Sequence, residues 1–187
     1  MLPVCAAPLA EKKTPAALAP TARRPGRVVV LGAGNILLTD EGLGVRAIER
    51  LPLLYDLPAE VEIIDGGTCT MEMLEDLEDL EALIVVDAIR SGQPCGTPIR
   101  VAGDDIPVFF RSKLSPHQIG LGDVLATLEL LGRAPRRTFL LGLEPHCLTL
   151  GIELSSAIEA RMPELLRLIA NELAALGFGV SPQIETA

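Results

Sequence analysis

Glu41, Asp87 and one of the chain's two histidines, His117 or His146, make up an oxygen, oxygen, nitrogen donor set. Such a set suits a divalent ion such as Ni(II) or Zn(II), and it leaves coordination positions open for substrate or water. Glu41 stands in "LGAGNILLTDEGLG" (31–44), Asp87 in "LIVVDAI" (83–89), His117 in "KLSPHQIGLGD" (113–123) and His146 in "GLEPHCLTLG" (142–151). A loop leading into a helix is a common functional position, which favours His117 over His146. Ser115 and Pro116 fit the start of that helix, with Ser115 as a possible cap. A third strand-end carboxylate, Asp65, precedes Gly66 and Gly67 in "VEIIDGG" (61–67).

Each of these residues also has a plain structural reading. Asp40 could cap a helix over 41–51, with Glu41 in its favourable first turn. Asp65 and Asp87 could be ordinary turn residues, and a loop histidine is often solvent-exposed. It is the convergence of several such residues, rather than any single one, that points to a site. The glycines of "GAGN" lack the third member of GxGxxG, and Asp40 and Glu41 occupy the place of a pyrophosphate, which argues against dinucleotide binding. Their other use is to let the backbone turn tightly and come close to a ligand. The acidic run Glu72, Glu75, Asp76, Glu78 and Asp79 reads as a solvated helix face.

The elements that must position these residues alternate. Apolar runs at 27–34, 61–67, 83–89 and 137–143 read as buried strands, and 97–103, with Pro98, as a shorter edge strand. Helical spacing covers 41–51, 70–82, 119–132 and 155–176, with Pro163 marking a start or a kink in the last. Continuously apolar strands alternating with helices predict an α/β fold: one domain, a twisted, mostly parallel (mixed) five-stranded sheet and helices on both faces. Sites in such folds lie beyond the carboxyl ends of the strands, where Glu41, Asp65 and Asp87 fall. Residues 1–26, rich in Ala and Pro, read as a disordered extension, 27–180 as the folded domain and 181–187 as a tail.

The chain's 187 residues suffice for one sizeable core, and with no Trp and one Tyr that core must be aliphatic. A net charge of −9 argues against a nucleic-acid partner, whose phosphates need a basic face. The four cysteines form no CxxC pair, so reduced thiols in a cytoplasmic protein are the simplest account. No apolar run approaches the roughly 20 residues that span a bilayer. Nothing here demands a second chain, and a monomer is expected.

The blocks "VVVLGAGNILLTDEGLGVRAIERL", "VEIIDGGTCTMEML", "LIVVDAI", "KLSPHQIGLGDVLATLELLG" and "LLGLEP" resemble, in this order, the hydrogenase maturation endopeptidases. The resemblance runs from about Arg27 to the last helix. It implies a protease that removes a C-terminal extension from a [NiFe] hydrogenase large-subunit precursor after nickel insertion, using the nickel as its recognition element. The family's metal site, carried over residue by residue, falls on Glu41, Asp87 and His117. The "DGG" block places Asp65 near the substrate. The resemblance further implies that the nickel comes with the precursor, and that zinc or cadmium could occupy the site in vitro. It leaves open whether a metal-activated water or an aspartate general base does the chemistry. It gives no role to His146. Two other readings remain: a nickel-sensing chaperone that binds the precursor without cutting, and a peptidyl-tRNA hydrolase-like enzyme with a similar glycine-asparagine strand end. The second needs a basic surface that this chain lacks.

Overall fold

A computed structural model describes residues 26–68, 71–103, 105–106 and 116–183, with backbone alone at 116–119. Residues 1–25 of the expected extension, and Ser115, lie outside the described residues. Strands β1 (Val28–Ala33), β3 (Val61–Gly67), β4 (Ala82–Ala88), β5 (Pro98–Ala102) and β6 (Thr138–Leu143) form one sheet in the order β3-β1-β4-β6-β5. β1 is parallel to both β3 and β4, and β4 is parallel to β6. Only the edge strand β5 runs antiparallel to its neighbour. This is the mixed sheet that the alternating pattern predicts.

Side chains of a strand alternate between faces, and here each face has its own helices. Val28, Val30, Ile84 and Val86 pack with α1 (Leu43–Leu54) and α5 (Met162–Ala175) through Leu43, Ile48, Leu51, Leu165 and Ile169. Val29, Leu31, Leu83, Val85 and Leu140 pack on the opposite face with α2 (Leu74–Leu77) and α3 (Pro116–Leu130) through Leu77, Leu121, Val124 and Leu128. Asp87 shares the parity of Leu83 and Val85, so β4 aims it off its end toward the α3 face. Helix α1 docks against bare backbone: a Cβ on Gly44 would lie 2.0 Å from the Val86 carbonyl oxygen and 2.3 Å from that of Ala33.

Several boundaries differ from the periodic reading, each for a packing reason. Helix α1 begins at Leu43, because residues Thr39–Gly42 form a separate 3-10 turn. The helix expected over 70–82 shrinks to a 3-10 turn at Met71–Met73 and α2. It stops because Asp79 takes a positive φ of 57° and turns Leu80 into the core. Glu78 and Asp79 are therefore not part of a solvated face but half-buried ion-pair partners of Arg133. The long C-terminal helix is split into α4 (Ser156–Glu159) and α5, with Pro163 in the first turn of α5, where its missing N–H costs nothing. Beyond it, β7 (Ser181–Pro182) pairs antiparallel with β2 (Tyr55–Asp56). Among the described residues no helix is long and apolar enough to cross a membrane.

Candidate active site

The chain leaves β1 for β3 on one side and then returns to β4 on the other, so the strand order reverses between β1 and β4. A crevice opens at the carboxyl ends of strands where this happens. The register brings Asp65 beside Gly32, Gly32 beside Val86, and Asp87 beside Gly142. Asp65, Asp87 and the loop after β1 thus share one short edge.

Gly34 is the hinge of that edge. Its φ of +125° suits glycine, and a Cβ there would lie 1.8 Å from the Glu41 carbonyl oxygen and 3.6 Å from Asp87 Oδ1. The missing side chain lets the Glu41 backbone close against Gly34, within reach of the Asp87 carboxylate. Glu41 is half-buried, while Asp87 is 1 % exposed and accepts a 2.8 Å hydrogen bond from the Ala88 N–H at Oδ1. The Glu41 main chain and the Asp87 carboxylate are thus brought to the same edge, and carboxylates are the donor type that suits a divalent cation.

His117 falls in the first turn of α3, and its side chain lies outside the described residues. Chain direction still locates that turn. The 15 residues of α3 span about 22 Å, and the chain then enters β6 from its amino end. The first turn therefore lies near the carboxyl edge, on the face toward which Asp87 points. Among the described residues no group of three or more His, Cys, Asp or Glu side chains is arranged to hold a metal ion. Asp65 is exposed, and its Oδ1 accepts from the Gly67 N–H at 2.9 Å, which closes the turn after β3. His146 is also exposed.

Asp40 does not cap α1. No side-chain cap bond is made at the start of the 3-10 turn or of α1. Instead its fully buried carboxylate accepts four hydrogen bonds from residues more than 100 positions away. The N–H groups of His146 and Cys147 donate to Oδ2 at 3.0 and 2.8 Å, and the Ser155 hydroxyl at 2.9 Å. The Ser155 N–H donates to Oδ1 at 2.7 Å. The Thr39 hydroxyl adds a bond to the Cys147 carbonyl at 2.7 Å. The turn that carries Glu41 is thus clamped to the segment after β6, and His146 takes part through its backbone alone.

A second carboxylate organises the other side. Glu144 directly follows β6, and its Oε2 accepts from the Ser91 N–H and hydroxyl, both at 2.6 Å, and from the Gln93 N–H at 3.2 Å. Burial alone pushes its carboxyl up, but the Ser91 hydroxyl and the N–H groups of Ser91, Gln93 and Gly92 outweigh it and hold the group below its ordinary value. Glu144 so anchors the loop that leaves β4 after Asp87. Its sequence signal is the one that marks Asp65 and Asp87, a carboxylate at the carboxyl end of a strand.

Comparison with known proteins identifies relatives of this arrangement. The profile of the hydrogenase maturation protease family matches residues 45–172. The chain is 42% identical over 158 residues to the hydrogenase 2 maturation protease of Escherichia coli K12, spanning 84% of this chain and 96% of that protein. Its fold superposes with a TM-score of 0.81 on the hydrogenase maturating endopeptidase HybD from E. coli, at 42% identity, covering 84% of this chain and 98% of that one. It is also similar to the [NiFe] hydrogenase maturation protease HybD from Thermococcus kodakarensis, with a TM-score of 0.64 and 26% identity over 79% of this chain and 99% of that one.

Proposed function

The chain belongs to the hydrogenase maturation proteases, and on that premise we propose that it is the endopeptidase that removes the C-terminal extension of a [NiFe] hydrogenase large-subunit precursor once nickel is in place. The observation that supports a metal-reading role is that the Glu41 main chain closes against Gly34 beside the Asp87 carboxylate, at the switch point of the sheet. Glu41 and Asp87 would offer carboxylate oxygens, and His117 a ring nitrogen, to the nickel that the precursor carries into the crevice. Nickel held there would polarise the scissile carbonyl or lower the pKa of a bound water, as zinc does elsewhere, toward roughly 7.

This chain's own residues do the positioning. The Ala88 N–H orients the Asp87 carboxylate. The Asp40 clamp holds the Glu41 turn, and the Glu144 anchor holds the loop after β4. Asp65, exposed with its Oδ1 on the Gly67 N–H, would meet the substrate chain as a recognition residue. Zinc or cadmium would fit the same donors in vitro.

The test is mass spectrometry of the precursor after incubation with the protein, with and without nickel loading, alongside Glu41→Gln and His117→Ala. The expected result is loss of a C-terminal peptide from loaded precursor only, abolished by either substitution. Cutting of nickel-free precursor would refute the metal gate and favour a carboxylate general base. Binding without any mass change would make the protein a chaperone instead.

A further inference from the structure

Aliphatic side chains sit where this fold cannot bury them. The turn after β1 is tight: the Leu38 N–H donates to the Asn35 carbonyl at 3.1 Å, and the Leu37 N–H to Asn35 Oδ1 at 3.0 Å. Its two outermost positions are Ile36, 40% exposed, and Leu37, 56% exposed. Such positions ordinarily carry Gly, Asn, Asp or Ser. Against this turn runs the segment after β6, with Leu150 85% exposed and Ile152 61% exposed. The two are stitched by a parallel bridge between Leu38 and Gly151, in which the Gly151 N–H donates to the Leu37 carbonyl at 3.0 Å and the Thr39 N–H to the Gly151 carbonyl at 2.8 Å. The Thr39 hydroxyl adds bonds to the Cys147 and Thr149 carbonyls at 2.7 and 3.2 Å.

We propose that Ile36, Leu37, Leu150 and Ile152 form a docking surface for the precursor, and that an uncharged aliphatic segment flanking the bond to be cut lies on it. This inference rests on the proteolytic reading above. The surface adjoins the crevice, because Leu37 lies four residues before Glu41, just ahead of the 3-10 turn that carries it, and Leu150 lies on the segment that Asp40 clamps. A chain reaching Glu41 and Asp87 passes over it. An acidic occupant would be repelled by the strand-end carboxylates and the net charge of −9, whereas an aliphatic one removes four exposed side chains from water. The bridge and the threonine bonds hold the surface in place before binding, so little ordering entropy is lost.

The test is steady-state processing of nickel-loaded precursor by the wild type, Leu150→Asp, Ile152→Asp and the control Leu130→Asp. Leu130 is 89% exposed at the end of α3, toward the opposite edge of the sheet. Because all three side chains face water, melting temperatures should match. The expected result is a KM raised about tenfold with kcat unchanged in each docking variant, and the control like wild type, since docking binds ground and transition states alike. Equal KM values in all four proteins, or a loss of kcat at unchanged KM, would overturn the docking surface while leaving the protease intact. A wild-type dimer that Leu150→Asp converts to monomer would assign the surface to a second copy and overturn the proposal. A wild type that leaves the precursor uncut would refute the proteolytic reading itself, and the docking surface with it.

Discussion

Asp40→Ala should damage this protein more than any change at an exposed carboxylate. The substitution strands four donors at once: the N–H groups of His146, Cys147 and Ser155 and the Ser155 hydroxyl, now 2.7–3.0 Å from atoms that no longer exist. A hydrogen bond to a charged group contributes about 1.5–3 kcal/mol, but four bonds to one carboxylate do not add. Each buried donor left without an acceptor costs about 1–3 kcal/mol, and because the four share one site and do not add in full the expected loss is about 3–5 kcal/mol. For a chain of this size it corresponds to a fall in Tm of roughly 6–20 °C.

Asp40→Asn separates shape from charge. An amide oxygen at the Oδ2 position still accepts from His146, Cys147 and Ser155 Oγ, but the amide nitrogen then faces the Ser155 N–H, donor against donor. One unsatisfied buried donor costs about 1–3 kcal/mol, so Asn should fall between wild type and Ala. Urea unfolding of the full chain measures both. Precursor processing in the folded fraction should drop with Ala even well below the unfolding midpoint, because the Glu41 turn loses its clamp. An Ala variant within about 1 kcal/mol of wild type would refute the clamp.

Three further outcomes follow from the geometry. Gly34→Ala puts a Cβ 1.8 Å from the Glu41 carbonyl oxygen at a φ of +125°; a displacement of about 1 Å at a site costs on the order of 100-fold in rate, and processing kinetics should show at least that. Glu144 has a folded pKa below its unfolded one, so its stabilisation is complete above the ordinary Glu value near ~4.3 and fades as pH falls through the folded value. The stability gap between wild type and Glu144→Gln, measured by urea unfolding, should therefore be constant from neutral pH to about 5 and close below ~4.3. Arg100 binds Glu172 through Nε at 2.7 Å and a terminal nitrogen at 3.0 Å, and lies 5.2 Å over the Phe139 ring. Arg100→Lys loses the fork and the stacking and should cost about 0.5–1 kcal/mol in chemical unfolding, since Arg100 is half-exposed at the edge strand although Glu172 is buried.

What the sequence made legible follows the range of the forces involved. The central strands β1 and β4 were readable because strands covered on both faces must be apolar at every position, and Val28–Leu31 and Leu83–Val86 are. Helix α1 was readable from Ala47, Ile48 and Leu51, yet its start was not, because the partners of Asp40 lie 106 to 115 residues away. Local spacing assigns an aspartate before a helix to capping, and a long-range clamp leaves the same local signature. Apolar spacing through Leu77 and Leu80 extended the helix of 70–82 too far, since nothing local signals that Arg133 pairs with Glu78 and Asp79 where the chain leaves the helix. The β2–β7 pair is two residues long on each side, too short for any period.

The position of Glu41 answers a physical question that its local sequence raises. A strand that ends in glycines and leads into a helix normally offers the helix N-terminus to an anion. Here the 3-10 turn Thr39–Gly42 is inserted before Leu43, so two carboxylates stand between the strand and the first N–H groups of α1. One of them, Asp40, is consumed entirely by protein donors and is fully buried. The other, Glu41, is half-buried, and its main chain closes against Gly34 within reach of Asp87 on the neighbouring strand. Gly34 and Gly44 make this possible, because a side chain at either would push the turn or α1 away from β4. The fold thus keeps the geometry of an anion-binding switch point while reversing the sign of its charge, and under the function proposed above that sign would favour a cation carried by the substrate.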